Sequence, residues 1–158
     1  MSARWKPNVT VAAYIEHEGK LLWVRELTSR DGIRINNAAG HLEADEDPLQ
    51  AVCREVLEET GRPFRPEAIL GFYLSDTRFT DGEPVRFLRI AFVGTVGAVE
   101  REQLDEPIIE TLLLSAAEIR ARPHELRSPL MLRGLDDYEA GRRFPLDLIR
   151  VQPEPGRS

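Results

Sequence analysis

The chain has 158 residues and a mass of 17.9 kDa, room for one domain and too little for two independent ones. Its 42% hydrophobic and 30% charged content excludes disordered, collagen-like and disulfide-scaffold classes, and a single cysteine, Cys53, excludes an intrachain disulfide or a multi-cysteine metal cage. The net charge of −6, from 27 acids against 21 bases, argues against a nucleic acid polymer as partner. Met1 to Pro7 lacks the apolar stretch of a signal peptide, and no window approaches the length that crosses a bilayer. A cytoplasmic protein without a membrane partner is expected, with a domain over 1–150 and a flexible tail over 151–158.

Val9 to Ile15 alternates and reads as a half-buried strand, with Val9, Val11, Ala13 and Ile15 on one face. Glu18-Gly19-Lys20 turns it into a second strand, Leu21 to Val24. Thr28 to Gly32 is a polar loop, and Arg34 to Gly40 a short strand-like connection. Asp47 can cap a helix that has Pro48 at its first position, Gln50 as the reciprocal capping partner and Gly61 at its end. Ile69 to Leu74 and Val85 to Val96 are further strands joined through Asp81-Gly82. Ser115-Ala-Ala-Glu118 is a capping box for a short helix stopped near Pro123. Ser128-Pro129 opens a third helix toward Gly141, with Leu130, Leu135 and Tyr138 on its buried face. Strands on both sides of a central helix, with more helix at the end, predict a mixed sheet covered by helices on both faces.

The acidity is concentrated. Between His41 and Thr60 lie Glu43, Asp45, Glu46, Asp47, Glu55, Glu58 and Glu59 against one base, Arg54. On the helix from Pro48 to Thr60, Leu49, Val52, Cys53 and Val56 form the core stripe, while Glu55, Glu58 and Glu59 share the other side at i, i+3, i+4. Such like-charge pairs each cost a few tenths of a kcal/mol, roughly, and the last two sit at the negative end of the helix dipole. A hard divalent cation such as Mg²⁺ or Mn²⁺ accounts for the arrangement, because it takes oxygen ligands and cancels the repulsion. The alternative is an ordinary solvated helix face.

Gly40, five residues, Glu46, seven residues, then Arg54-Glu55-Val56-Leu57-Glu58-Glu59-Thr60-Gly61 resembles the Nudix box. Seven such positions match by chance with a probability on the order of 10⁻⁵. Arg62 departs from the apolar residue that ends the box. Pro7 to Ala12, Ala39 to Glu46, Leu126 to Leu130 and Gly141 to Leu146 extend the likeness to the bacterial phosphatase NudJ subgroup of that family.

The resemblance implies an α+β fold, a Nudix α/β/α sandwich with a mixed β-sheet. It implies a Mg²⁺ enzyme, with Mn²⁺ a possible substitute, in which Glu55, Glu58 and Glu59, helped by the Ala39 carbonyl, bind metal. Arg54 and Glu46 then pair to hold the loop against the helix. Water attacks a diphosphate phosphorus with Glu55 as ligand, base or both; Asp105 or Glu106 occupies the region where some family members keep their base. The substrate is a small phosphorylated molecule: nucleoside tri- or diphosphates, hydroxymethylpyrimidine diphosphate or thiamine pyrophosphate. Monomer and homodimer are both compatible with it.

Arg25 matches a position that often contacts phosphate or sugar, the alternative being a solvated strand end; Arg127 and Arg86 are read as steering residues or plain surface arginines. The aromatic and proline that the subgroup carries before Ala-Gly are missing from Ile35-Asn36-Asn37-Ala38. Asn36 and Asn37 either bond a heterocycle edge or cap the turn. Two further readings stand beside this one: a broader pyrophosphohydrolase of damaged nucleotides or nucleotide sugars, and a catalytically silent ligand-binding module of the same fold.

Overall fold

The computed structural model describes residues 3–78 and 81–156. Met1 and Ser2 of the N-terminal segment, and Arg157 and Ser158 of the expected tail, lie outside them. The strands are β1 (Asn8–His17), β2 (Lys20–Thr28), β3 (Gly32–Asn36), β4 (Ala38–His41), β5 (Phe64–Arg78), β6 (Pro84–Val96) and β7 (Ile108–Leu114). The helices are α1 (Pro48–Thr60), α2 (Ala116–Arg120) and α3 (Leu130–Glu139). The sheet runs β3-β2-β1-β6-β5, with β4 on β1 and β7 on β2; β1 and β6 are parallel and the other pairs antiparallel. This is an α+β fold with a mixed seven-stranded sheet.

One feature of the sheet positions the site. β1 changes partner along one edge: Thr10 to Ala13 pair with β4, and Ile15 to His17 pair with β2. The sheet therefore forks beside Ala13 and Tyr14, and the chain crosses the fork through Asn36 and Asn37 as it passes from β3 to β4.

Two cores cover the two faces. Val11, Ala13, Ile15, Phe92 and the α1 residues Ala51, Val52 and Val56 form one. Tyr14, Trp23, Ala91, Ile119 from α2, and Met131 and Leu135 from α3 form the other. Burying side chains such as Val52 and Val56 contributes roughly 1.5–3 kcal/mol each, against a few tenths per carboxylate pair. Packing therefore holds α1 in spite of its charge pattern. The helix begins and ends as its residues predict: Asp47 accepts from the Gln50 amide at 2.9 Å, the reciprocal Gln50 bond is present, and Gly61 is left-handed at φ 72°.

Four sequence expectations change. Val11 to Ile15 are all buried, so β1 is covered on both faces where alternation predicted one, because each face carries its own helical layer. β7 was not expected, since Ile-Ile-Glu-Thr-Leu-Leu-Leu lacks a strand period; its ladder with β2 makes it a strand. β5 starts at Phe64, earlier than predicted, and its residue Ile69 exchanges backbone bonds of 2.9 and 2.8 Å with Phe144. The buried side of α3 is Met131, Gly134 and Leu135, with Leu130 and Tyr138 only half-buried. A Cβ on Gly134 would lie 2.0 Å from the Tyr14 hydroxyl, so this glycine lets α3 sit close to the sheet.

Candidate active site

Arg54 is the hub of the loop–helix junction. Its Nε and Nη2 donate to Glu46 at 2.9 and 2.6 Å, a bidentate pair, and Nη2 also donates to the His41 carbonyl at 3.0 Å. Nη1 donates to Glu55 at 2.8 Å and to Glu58 at 3.2 Å. The charge-assisted bond to Arg54 holds the Glu46 carboxyl below the ordinary range. At 11% and 24% side-chain exposure Glu46 and Arg54 are half-shielded from water, so this junction is worth more than a fully solvated pair.

The glutamates are crowded against β4. A Cβ on Gly40 would stand 2.1 Å from Glu55 Oε1, so only glycine admits the carboxylate there. Glu59 accepts from the Ala39 amide at 3.2 Å. Burial first, and then the Glu55 charge, push the Glu59 carboxyl up to about 9; burial likewise raises Glu55. Among the described residues no three His, Cys, Asp or Glu side chains already converge as ligands, since Arg54 and the Ala39 amide hold these carboxylates. The donor set nevertheless fits a hard divalent cation. It is all oxygen, it is shielded, and its charges repel one another in the absence of a counter-ion.

The remaining expected residues divide. Asn36 donates to Glu26 at 3.1 Å, and Arg127 Nε lies 3.5 Å from the same carboxylate, its backbone amide tied to the Ile35 carbonyl at 2.8 Å. These two come together at the fork. Asn37, expected to face a ligand or cap a turn, is instead 1% exposed: its amide donates to the Ala13 carbonyl at 3.1 Å where β1 changes partner, and it belongs to the fold. Arg25, expected at phosphate or sugar, is occupied by Glu110 across the β2–β7 ladder. Arg86 pairs with Asp76 in the exposed β5–β6 hairpin. Asp105 donates its backbone amide to the Glu58 carbonyl at 3.0 Å, but its carboxylate is held 2.7 Å from Arg101; Glu106 is exposed. Arg62 donates to the Gly97 carbonyl at 2.9 Å, away from the glutamates.

Two residues at the fork escaped the sequence reading. Glu26 stands opposite a bulge in β7, where Ile109 is the extra residue between the partners of Arg25 and Glu26, so its setting depends on a strand with no period of its own. Arg89 interrupts the apolar run of β6, a charge in the middle of a covered strand, and that was a readable signal.

The NUDIX domain model matches residues 5–134, and the chain belongs to the Nudix hydrolase family. It is a hydrolase acting on phosphoric anhydrides, and its substrate is a small phosphorylated molecule. The family generally uses divalent metal ions. The chain is 36% identical over 151 residues to Phosphatase NudJ of Escherichia coli K12, covering 92% of each. Among solved structures it resembles a NUDIX hydrolase from Nitrosomonas europaea, with TM-score 0.85, 42% identity, and 93% of this chain and 98% of that one covered. It also resembles a MutT protein from Methanosarcina mazei Go1, with TM-score 0.68, 26% identity, and 88% and 98% covered. No helix among the described residues is long and apolar enough to cross a membrane.

Proposed function

We propose that this enzyme is a Mg²⁺-dependent phosphohydrolase that removes phosphate from nucleoside tri- and diphosphates and from the thiamine-related diphosphates, hydroxymethylpyrimidine diphosphate and thiamine pyrophosphate, in the cytoplasm. Glu55, Glu58, Glu59 and the Ala39 carbonyl are its metal ligands, with Mn²⁺ able to replace Mg²⁺. The observation that carries the reading is the junction at Arg54, where one guanidinium ties the Glu46 loop to α1 and gathers Glu55 and Glu58 beside Gly40. The likeness to Phosphatase NudJ over 92% of both chains supports the substrate class.

When bound, the cation supplies a Lewis acid that activates water and neutralises charge on the anhydride oxygens. The protein's part is positional. Arg54 and Glu46 keep Gly40 and Ala39 against the helix, and Glu55 receives the proton from the attacking water. Its carboxylate lies against Gly40 and is bonded by Arg54, which holds it in place for that transfer. Asp105, held by Arg101, and the exposed Glu106 are the weaker candidates for that base. Asn36 and Arg127 contact the substrate from the fork.

The test is a panel of nucleoside tri- and diphosphates, thiamine pyrophosphate and a nucleotide sugar, assayed with and without Mg²⁺ for orthophosphate and pyrophosphate. Mg²⁺-dependent orthophosphate release is the expected result. Pyrophosphate or paired monophosphates as the sole products would favour the broader pyrophosphohydrolase, and no turnover with retained ligand binding would favour the silent module.

A further inference from the structure

The last turn of α1 carries two of the box glutamates and opposes its own order. Glu58 and Glu59 place like charges at the negative end of the helix dipole, where the final carbonyls have no partner within the helix. Gly61 answers for one of these, donating its amide to the Leu57 carbonyl at 2.9 Å. The Glu58 carbonyl and that of Gly61 itself are met from a distant part of the chain. Asp105 donates its amide to the first at 3.0 Å, and Glu100 and Arg101 donate theirs to the second at 2.8 and 3.1 Å.

These three amides belong to the loop 97–107 between β6 and β7. The loop is fixed at both ends. The Gly97 amide donates to the Pro63 carbonyl at 3.0 Å and its carbonyl accepts from Arg62 at 2.9 Å, while the Pro107 carbonyl accepts from the Leu27 amide at 3.1 Å. The approach to α1 is close: a Cβ on Gly61 would lie 2.0 Å from the Arg101 carbonyl oxygen and 3.6 Å from the Leu104 side chain. Arg101 and Leu104 are half-buried, and the rest of the loop is exposed.

The charge of the loop works against this contact. Glu100, Glu102, Asp105 and Glu106 stand beside one base, Arg101, and an acidic loop lying on the acidic end of a helix is repelled by it. Arg101 counters the repulsion, since its Nη2 donates to the Asp105 carboxylate at 2.7 Å. One guanidinium thereby ties the residue whose amide meets Gly61 to the residue whose amide meets Glu58.

We infer that Arg101 is a positioning residue for the cation site: it staples the loop into a clamp that holds the last turn of α1, and with it Glu58 and Glu59, in the arrangement a divalent cation needs. This rests on the metal reading above and adds a residue that lies outside the box.

The test measures Mn²⁺ binding to the metal-free protein by calorimetry, without substrate, beside the thermal midpoint. Arg101→Gln should weaken binding by about 10-fold, the scale on which the supports behind metal ligands act, with the metal-free midpoint close to wild type. Arg101→Lys, which keeps the charge and loses the planar array of donors, should recover part of the loss. Asp105→Pro, which deletes the amide that the Glu58 carbonyl accepts, should lose at least as much as Arg101→Gln. Arg120→Gln breaks a comparable exposed pair with Glu139, between α2 and α3, and should bind as wild type does. Unchanged binding in Arg101→Gln or Asp105→Pro, an equal loss in Arg120→Gln, or a loss that merely follows a lowered midpoint would overturn the inference. A wild type that binds no Mn²⁺ would remove the metal reading and the clamp together, whereas equal binding by wild type and both loop variants would remove the clamp alone.

Discussion

At the box, Glu46, Arg54, Glu55, Glu58 and Glu59 come from one loop and one helix, and their partners are almost all one another. At the fork, Glu26, Asn36, Asn37, Arg89 and Arg127 come from β2, the β3–β4 crossing, β6 and the start of the α3 region. The first cluster is assembled by local chain geometry, so charge chemistry can be concentrated there with help from one distant segment only, the loop that meets the last turn of α1. The second exists only once β1 has changed partner and the strands are in register. Chemistry that must be invariant suits the first kind of construction, and recognition that must be adjustable suits the second.

Breaking the box should have the largest effect. Glu55→Gln and Glu59→Gln should each lower Mg²⁺-dependent turnover by on the order of 10²–10³-fold, since each removes part of a several-kcal/mol electrostatic contribution, with circular dichroism unchanged. Near-normal turnover in both would end the metal assignment. Gly40→Ala is the sharper probe, because the added methyl meets a carboxylate at 2.1 Å and only the Glu55 side chain needs to move. Activity should fall by about 10–100-fold with a thermal midpoint close to wild type. A variant that unfolds, or one with full activity, would contradict that account of Gly40.

At the fork, Asn37→Ala should act on stability and less directly on chemistry. It leaves the Ala13 carbonyl without its side-chain donor, costing about 1–3 kcal/mol in denaturant unfolding. A rise in KM with unchanged stability would return Asn37 to the substrate surface.

The box also has a pH signature. In the fold Glu59 releases its proton near 9, against an ordinary value of 4.5, so between these values the native state holds a proton that the unfolded chain has lost. Stability contributed by the protonated form is complete below about 4.5 and is lost as pH rises toward 9. The raised Glu55 acts in the same direction, while the lowered Glu46 contributes only at the acid end. The melting temperature of the metal-free protein should therefore decline across this window, and Glu59→Gln should flatten the slope; an unchanged slope in the variant would refute the assignment. The smallest effect is expected from Arg25→Ala, within about 3-fold in kcat/KM, because its guanidinium serves a partly exposed pair with Glu110. A loss of 100-fold would restore Arg25 as a phosphate contact.

Much of the box was legible because its information is local. Helical period placed Glu55, Glu58 and Glu59 on one side, and the capping residues Asp47, Gln50 and Gly61 act where their chemistry says they should. The Arg54–Glu46 pair was implied by the likeness to the box, and the two side chains meet as expected. The fork was not legible in the same way. Asn37 reads as a turn residue until the strand switch beside Ala13 makes its amide a structural donor. Arg25 reads as free until β7, a strand with no period of its own, brings Glu110 opposite.

By itself, then, the sequence determined the class of chemistry through its likeness to the Nudix box, and the helical period placed the three glutamates of that box on one side without help from any other part of the chain. Which acid Arg25 and Arg127 meet, and that Asn36 bonds Glu26 while Asn37 bonds the Ala13 carbonyl, were decided by tertiary structure. Those outcomes depend on register between strands distant in sequence, and one change of partner along β1 reassigns every polar group beside it.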